Sequence, residues 1–309
     1  MSKSNALDFE PVKLEDYSRI YAYTSAFGEG SCQHSPVSMY SMEEKYGDAV
    51  SEKDGFLYTL RSRLCDQDYR VYLAPLGSGS MKEAFERLFA DAGSYGKRIK
   101  IMSVTERAAE ILKQEFPGRF DLQEERDLAE YMFRSEIMGT FVGHALQKRR
   151  IEVHAFWHLY GERAAVSRIT PEDFPGILEF EQKWLVQNKE THDMHVLERE
   201  ARMIEKQLAH FDALHLSGIV LRIDGEIVGF GYGTKLSDHF YDAIVEKGDR
   251  NIQHVYKVLR QESVKQCAMD CVYVNMEEDM GLPGLRALKY AYKPEYLLKK
   301  YIATERIVL

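Results

Sequence analysis

Short alternating stretches and longer helical stripes take turns along this chain, and their order occurs twice. In the first half, Phe9–Leu14 reads as a strand, and a helix is expected from about Glu15. Gly55–Leu64 and Tyr69–Leu76 alternate through Phe56, Tyr58 and Leu60, then Val71 and Leu73, as hairpin arms with one buried face do. Gly77-Ser78-Gly79-Ser80 breaks that rhythm. Ser80 and Glu83 have capping-box spacing, and Met81, Phe85, Leu88 and Phe89 form one apolar helix face. A strand over Ile99–Val104 and a helix over Thr105–Phe116 follow.

The second half runs through the same series. Ala164–Ile169 reads as a strand, and Thr170-Pro171-Glu172-Asp173 as a helix start with Pro in the first turn. Leu197, Ala201, Ile204, Leu208 and Phe211 mark a long amphipathic helix. Gly218–Ile223 and Glu226–Lys235 flank Asp224-Gly225, a strong hairpin signal. Strands over Phe240–Glu246 and Cys271–Met276 enclose a helix over Asn251–Gln266, and a short helix over Leu285–Tyr292 closes the series. Glu15-Asp16-Tyr17 aligns with Glu172-Asp173-Phe174, and the hairpins align at a similar offset, so the chain reads as an internal duplication. Arg134–Tyr160 reads as a helical connection, with domains over 1–161 and 162–309.

The repeated order is that of a GNAT-type acyl-CoA N-acyltransferase, although other α+β layers share such alternation. The expected fold class is α+β: two tandem GNAT-like domains with mixed, splayed central sheets.

Composition narrows the function classes. With 309 residues, 45% of them hydrophobic, the chain is long enough for two domains with their own cores. Its net charge of −8 argues against broad, non-specific nucleic-acid binding, but leaves room for a local basic patch. Cys32, Cys65, Cys267 and Cys271 form no CxxC and read as reduced thiols. No apolar run reaches the roughly 20 residues of a membrane span. Met1–Asp8 lacks a signal-peptide core, so a cytoplasmic protein is expected.

Asn275-Met276-Glu277-Glu278-Asp279-Met280-Gly281-Leu282-Pro283-Gly284-Leu285-Arg286-Ala287-Leu288-Lys289 resembles the N-x-E-x-D-x-G-x-x-G-L-R-x-x-K run of the phosphatidylglycerol lysyltransferase C-terminal domain family. Tyr292-Lys293-Pro294, Ser31-Cys32-Gln33-His34-Ser35, Arg126-Asp127 with Tyr131, and Glu246-Lys247-Gly248-Asp249 resemble that family's other segments in the right order. Lys148-Arg149-Arg150 stands where relatives carry a basic run, although Ile151 and Glu152 depart from it. The resemblance implies a tandem GNAT-like aminoacyl or acyl transferase. Its donor could be an aminoacyl-tRNA, with Lys148, Arg149 and Arg150 near the acceptor stem.

The candidate chemistry has plainer alternatives throughout. Glu277 and Asp279 could serve as general bases beside Glu278, or cap the following helix. Arg286 and Lys289 share a helix face that could hold phosphate or simply meet solvent. Glu246 and Lys247, at a strand end where such a sheet splays, could act at the reacting carbonyl or form a surface pair. Asn275 and Arg126 enter the donor-binding set through the resemblance alone.

Acyl-CoA is a possible donor. The segment after Glu246-Lys247 lacks the usual R/Q-x-x-G-x-G/A loop, while Gly77 and Gly79 could cradle a pyrophosphate or merely shape a turn. No metal and no zinc site is expected. His154 and His158 lack the HExxH context, and Asp193, between His192 and His195, serves equally well as a cap. The leading expectation is a transferase acting on an amine or hydroxyl of a small or soluble acceptor. The alternatives are an acyl-CoA-dependent N-acyltransferase and a non-catalytic metabolite-binding protein.

Overall fold

A computed structural model describes residues 6–188 and 194–307. The strands, in chain order, are β1 (Glu10–Pro11), β2 (Asp48–Lys53), β3 (Phe56–Arg61), β4 (Tyr69–Leu73), β5 (Leu76–Gly77), β6 (Arg98–Val104), β7 (Phe120–Glu124), β8 (Glu130–Arg134), β9 (Ala164–Arg168), β10 (Leu216–Ile223), β11 (Glu226–Lys235), β12 (Phe240–Gly248), β13 (Tyr273–Asn275), β14 (Tyr296–Leu298) and β15 (Tyr301–Glu305).

The chain divides into two units. The first holds Met1–Glu130, Glu278–Pro283 and Leu297–Leu309; the second holds Tyr131–Glu277 and Gly284–Tyr296. One sheet has the order β1-β2-β3-β4-β6-β15-β7, with β5 against β3; the other has the order β14-β8-β13-β12-β11-β10-β9. A parallel pair occurs in each, β4 with β6 and β12 with β13. Such pairs need a crossover, supplied by helices Met81–Ser94 and Val255–Cys267. Beyond the parallel pair, each sheet adds an antiparallel strand from the other half of the sequence: β15 on β6, and β8 on β13. The boundary read at residue 161 therefore lies inside the second unit. The chain leaves the first unit after Glu130, returns to it over Glu278–Pro283 and again from Leu297, and β8 and β15 pair with strands remote in sequence.

Local chemistry explains most of the turns. Asp54 and Gly55 take φ of 48° and 79°, Asp224 and Gly225 take 54° and 88°, and each pair closes a two-residue hairpin. The first of these hairpins is formed by β2, which the sequence reading had not marked. Both faces of β3 are buried rather than one. Phe56, Tyr58 and Leu60 join a core under helices Met81–Ser94 and Glu106–Glu115, whereas Leu57 joins a second core containing Ile20 and Met39. Arg134–Tyr160 is not one helix. Helix Ser135–Thr140 stops where Phe141 (φ 50°) and Gly143 (φ 92°) turn the chain left-handed, and Gln147–Tyr160 resumes. No helix among the described residues is long and apolar enough to cross a membrane.

Candidate functional site

In the second unit the sheet opens beside β12. Its parallel pairing with β13 ends at Asp242 and Asn275, yet β12 runs on to Gly248 against β11 alone. Backbone groups alternate along a strand, so every second N–H of this stretch points away from β11.

Glu246 and Lys247 lie on opposite faces of β12, as strand alternation requires. Glu246 faces helix Val255–Cys267, where Arg260 donates Nε to Oε2 at 3.2 Å and a terminal nitrogen to Oε1 at 2.5 Å. The Arg260 guanidinium lies 4.4 Å over the ring of Tyr292, and Arg149 lies 5.1 Å from the same ring. Arg149 also donates to Glu152 at 2.7 Å. Burial, with the nearby charges of Arg149 and Arg260, lowers the pKa of half-buried Lys257. The result is a partly dry cluster with three cations and two carboxylates. Glu246, Arg149 and Tyr292, far apart in sequence, thus meet through Arg260, which the sequence reading missed. Lys148 is exposed, and Arg150 is committed to the carbonyls of Phe141 and Gly143.

Lys247 faces the other way. Its Nζ donates to Glu181 Oε1 at 2.6 Å and to Glu200 Oε2 at 3.0 Å, and lies 4.1 Å over the Trp184 ring. Glu181 had a signal in the sequence. It shares the apolar stripe of Ile177, Phe180, Trp184 and Leu185, and a carboxylate on a buried face needs a partner.

Past the end of β13, Asn275 is fully buried and its Oδ1 accepts the Glu277 N–H at 2.7 Å. Glu277 has φ 55°, uncommon for a non-glycine residue. Lys289 donates to the carbonyls of Met276 (2.5 Å) and Glu277 (3.1 Å), so this lysine holds the turn, while Arg286 is half-buried on the same short helix.

Asp279 belongs to the first unit, fully buried, with Oδ2 accepting from Arg126 at 3.2 Å and Oδ1 from the Gly281 N–H at 3.0 Å. Gly77 and Gly79 have structural reasons to be glycine. A Cβ on Gly77 would lie 2.3 Å from the Gly55 carbonyl oxygen, and Gly79 has φ 134°. The loop after β12 fits a pyrophosphate poorly: Asp249 Oδ1 already accepts the Asn251 N–H at 2.9 Å. Exposed His154 and His158 stand on helix Gln147–Tyr160, whereas His192 and Asp193 fall outside the described residues.

The first unit also buries a polar network around Ser31–Ser35. Lys300 pairs with Glu130 at 3.0 Å and donates to Ser31 Oγ at 2.5 Å. Ser31 and the Cys32 N–H donate to the Glu130 oxygens at 2.9 and 3.1 Å. Arg61 donates to Gln33 at 2.7 Å and approaches Asp48 at 3.5 Å. Burial, with help from Lys300 and Arg61, lowers the His34 pKa to about 3, while burial raises Asp48 to about 6. The two act oppositely on stability. Unfolded His34 takes a proton below about pH 6.5 that the folded state refuses, so stability falls as pH drops. Folded Asp48 holds a proton that the unfolded state releases, so its contribution favours folding at low pH and is lost as pH rises through about 6. His34→Gln should therefore remove close to one proton, about 1.4 kcal/mol per pH unit, from the slope of unfolding free energy between about pH 4 and 5.5. Urea unfolding at stepped pH measures it; an unchanged slope would show that His34 is not held neutral.

Comparison with known proteins gives these features a family. The family model described as "Phosphatidylglycerol lysyltransferase, C-terminal" matches residues 25–304. The chain belongs to this family. A conserved protein of unknown function from Bacteroides thetaiotaomicron is 27% identical, with a TM-score of 0.91 over 97% of this chain and 100% of that one. L-PGS from Bacillus licheniformis has a TM-score of 0.64 at 15% identity, covering 97% and 94% of the two chains. FemX has a TM-score of 0.58 at 10% identity, covering 97% and 98%. At these lower identities the likeness is one of fold. An uncharacterized protein of Mycoplasmoides gallisepticum is 22% identical over 174 residues, 56% of this chain, so the chain spans about half (54%) of the curated relative it matches. The family is thus that of phosphatidylglycerol lysyltransferase C-terminal domains, and the fold is one shared with L-PGS and FemX.

Proposed function

We propose that this protein transfers an aminoacyl group from an aminoacyl-tRNA to an amine or hydroxyl of a small soluble acceptor in the cytoplasm. The opening beside β12 carries the reading: β13 ends at Asn275 while β12 continues to Gly248, leaving a backbone edge with no strand partner among the described residues. An N–H on that edge would polarise the ester carbonyl and stabilise the oxyanion formed on attack. Arg260, held by Glu246, would join Arg149 and Lys257 in holding the phosphate next to the ester. Glu246 then acts as a positioning residue. Glu277, in a strained backbone conformation just past β13, is the carboxylate we assign to take the nucleophile's proton. The bond from acceptor to carbonyl carbon forms, the ester C–O bond breaks, and the tRNA hydroxyl leaves with a proton.

Incubating the protein with tRNA charged with a labelled amino acid, and following label lost from the tRNA into a stable small product, tests this directly. Glu277→Gln should lower kcat/KM about 100-fold with thermal unfolding unchanged. Binding of charged tRNA should weaken steeply between about 50 and 200 mM salt. No transfer above the protein-free control, across pooled tRNAs and cell-extract acceptors, would rule the proposal out.

A further inference from the structure

The face of β12 opposite Glu246 carries a second arrangement that the transfer chemistry leaves unused. Lys247 is one ammonium between two carboxylates, Glu181 and Glu200, so the group has an excess negative charge. Lys247 and Glu181 are almost wholly buried, whereas the Glu200 side chain is 37% exposed and forms the rim. The second oxygen of Glu181, Oε2, is buried and takes no hydrogen bond from the described residues. It shares a carbon with Oε1, which binds Lys247, so the missing donor belongs to this cluster. Aromatic walls complete it: Trp184 lies against Lys247, its Nε1 donates to Tyr256 Oη at 3.4 Å, and Tyr256 donates to the Gly248 carbonyl at 2.9 Å. One ammonium shared by two carboxylates leaves a net negative charge partly removed from water, and a cation that enters at the rim offsets it. An aromatic face beside it adds attraction for an ammonium group.

We infer that Glu181, Lys247, Glu200 and Trp184 form a recognition site for a substrate ammonium group, with Glu200 receiving it at the rim while Lys247 stays on Glu181. This inference rests on the transferase reading for its biological sense. The ammonium belongs either to the transferred aminoacyl group or to an amine acceptor, and one binding experiment separates these sources.

Trp157 and Trp184 are the two tryptophans of the chain, so Trp157→Phe leaves Trp184 as sole reporter. The full-length variant is titrated with alaninamide, N-acetylalaninamide and butylamine while its fluorescence is followed. Alaninamide should give a saturable change, and N-acetylalaninamide, with its amine blocked, should give none. Saturation by butylamine at similar concentration assigns the site to an acceptor amine; saturation by alaninamide alone assigns it to the aminoacyl end. Glu200→Gln, at an exposed position, should weaken amine binding at least tenfold, and Glu200→Asp should recover part of it. The inference falls if neither amine saturates, if the blocked amide binds as well, or if Glu200→Gln binds unchanged. Amine binding without any tRNA-dependent transfer would leave this site standing and remove the function proposed above. Transfer with unaltered kinetics in Glu200→Gln would do the reverse.

Discussion

Replacing Lys300 with Met should lower the unfolding free energy by about 3–5 kcal/mol, the range seen when one partner of a buried ion pair is removed. Lys300 and Glu130 are 1% and 0% exposed, 3.0 Å apart, so no solvent screens the Glu130 charge once the ammonium is gone. Ser31 Oγ and the Cys32 N–H, which also donate to Glu130, supply hydrogen bonds but no positive charge. The penalty should come from the orphaned charge rather than from lost packing. Glu130→Gln in the same chain should therefore restore most of the loss, since Gln still accepts from Ser31. Urea or guanidinium unfolding of the wild type, the single variant and the double variant closes the cycle. A single-variant loss below about 1 kcal/mol, or a double variant no better than the single, would mean the pair is not dry.

Arg260→Ala should cost about as much, roughly 3–5 kcal/mol, and should also abolish tRNA-dependent transfer. Its guanidinium takes both oxygens of Glu246 and covers Tyr292, so truncation leaves a nearly buried carboxylate and an uncovered ring. Burial by itself would lower the Arg260 pKa, but attraction and hydrogen bonds to Glu246 and Tyr292 together outweigh it and raise it, so the guanidinium carries its charge throughout the working pH range. Arg260→Lys keeps that charge but loses the two-pronged fit. It should recover part of the stability and little of the turnover if phosphate geometry matters. Equal recovery of both would reduce Arg260 to a structural role. Chemical unfolding and the labelled-tRNA assay, run on the same preparations, give the two readouts.

What could be read from the sequence was local. Ser80 and Thr105 cap the helices they were expected to start, accepting the N–H groups of Glu83 and Ala108. Asp224-Gly225 closes its hairpin in the register two-residue turns demand. The duplicated order of elements pointed to the two mixed sheets. The exchange of β8 and β15 was hidden because periodicity describes a strand's faces, not its neighbours. Buried charges were hidden for a related reason: Glu130, Lys300 and Arg260 look like surface residues until distant segments enclose them. The cluster at Glu246 was half legible. The strand and its opening were expected, but treating Glu246 and Lys247 as one pair ignored the alternation that sends them to separate partners, Arg260 and Glu181.

The placing of β15 between β6 and β7 has a consequence for synthesis. Residues 301–305 leave the ribosome long after β6 and β7, yet they fill the gap between those two strands. Until then β6 and β7 present bare backbone edges, the kind of surface that invites pairing with neighbouring chains. Nascent chains stalled before Tyr301 should therefore be the aggregation-prone species, and holdase chaperones should engage them there.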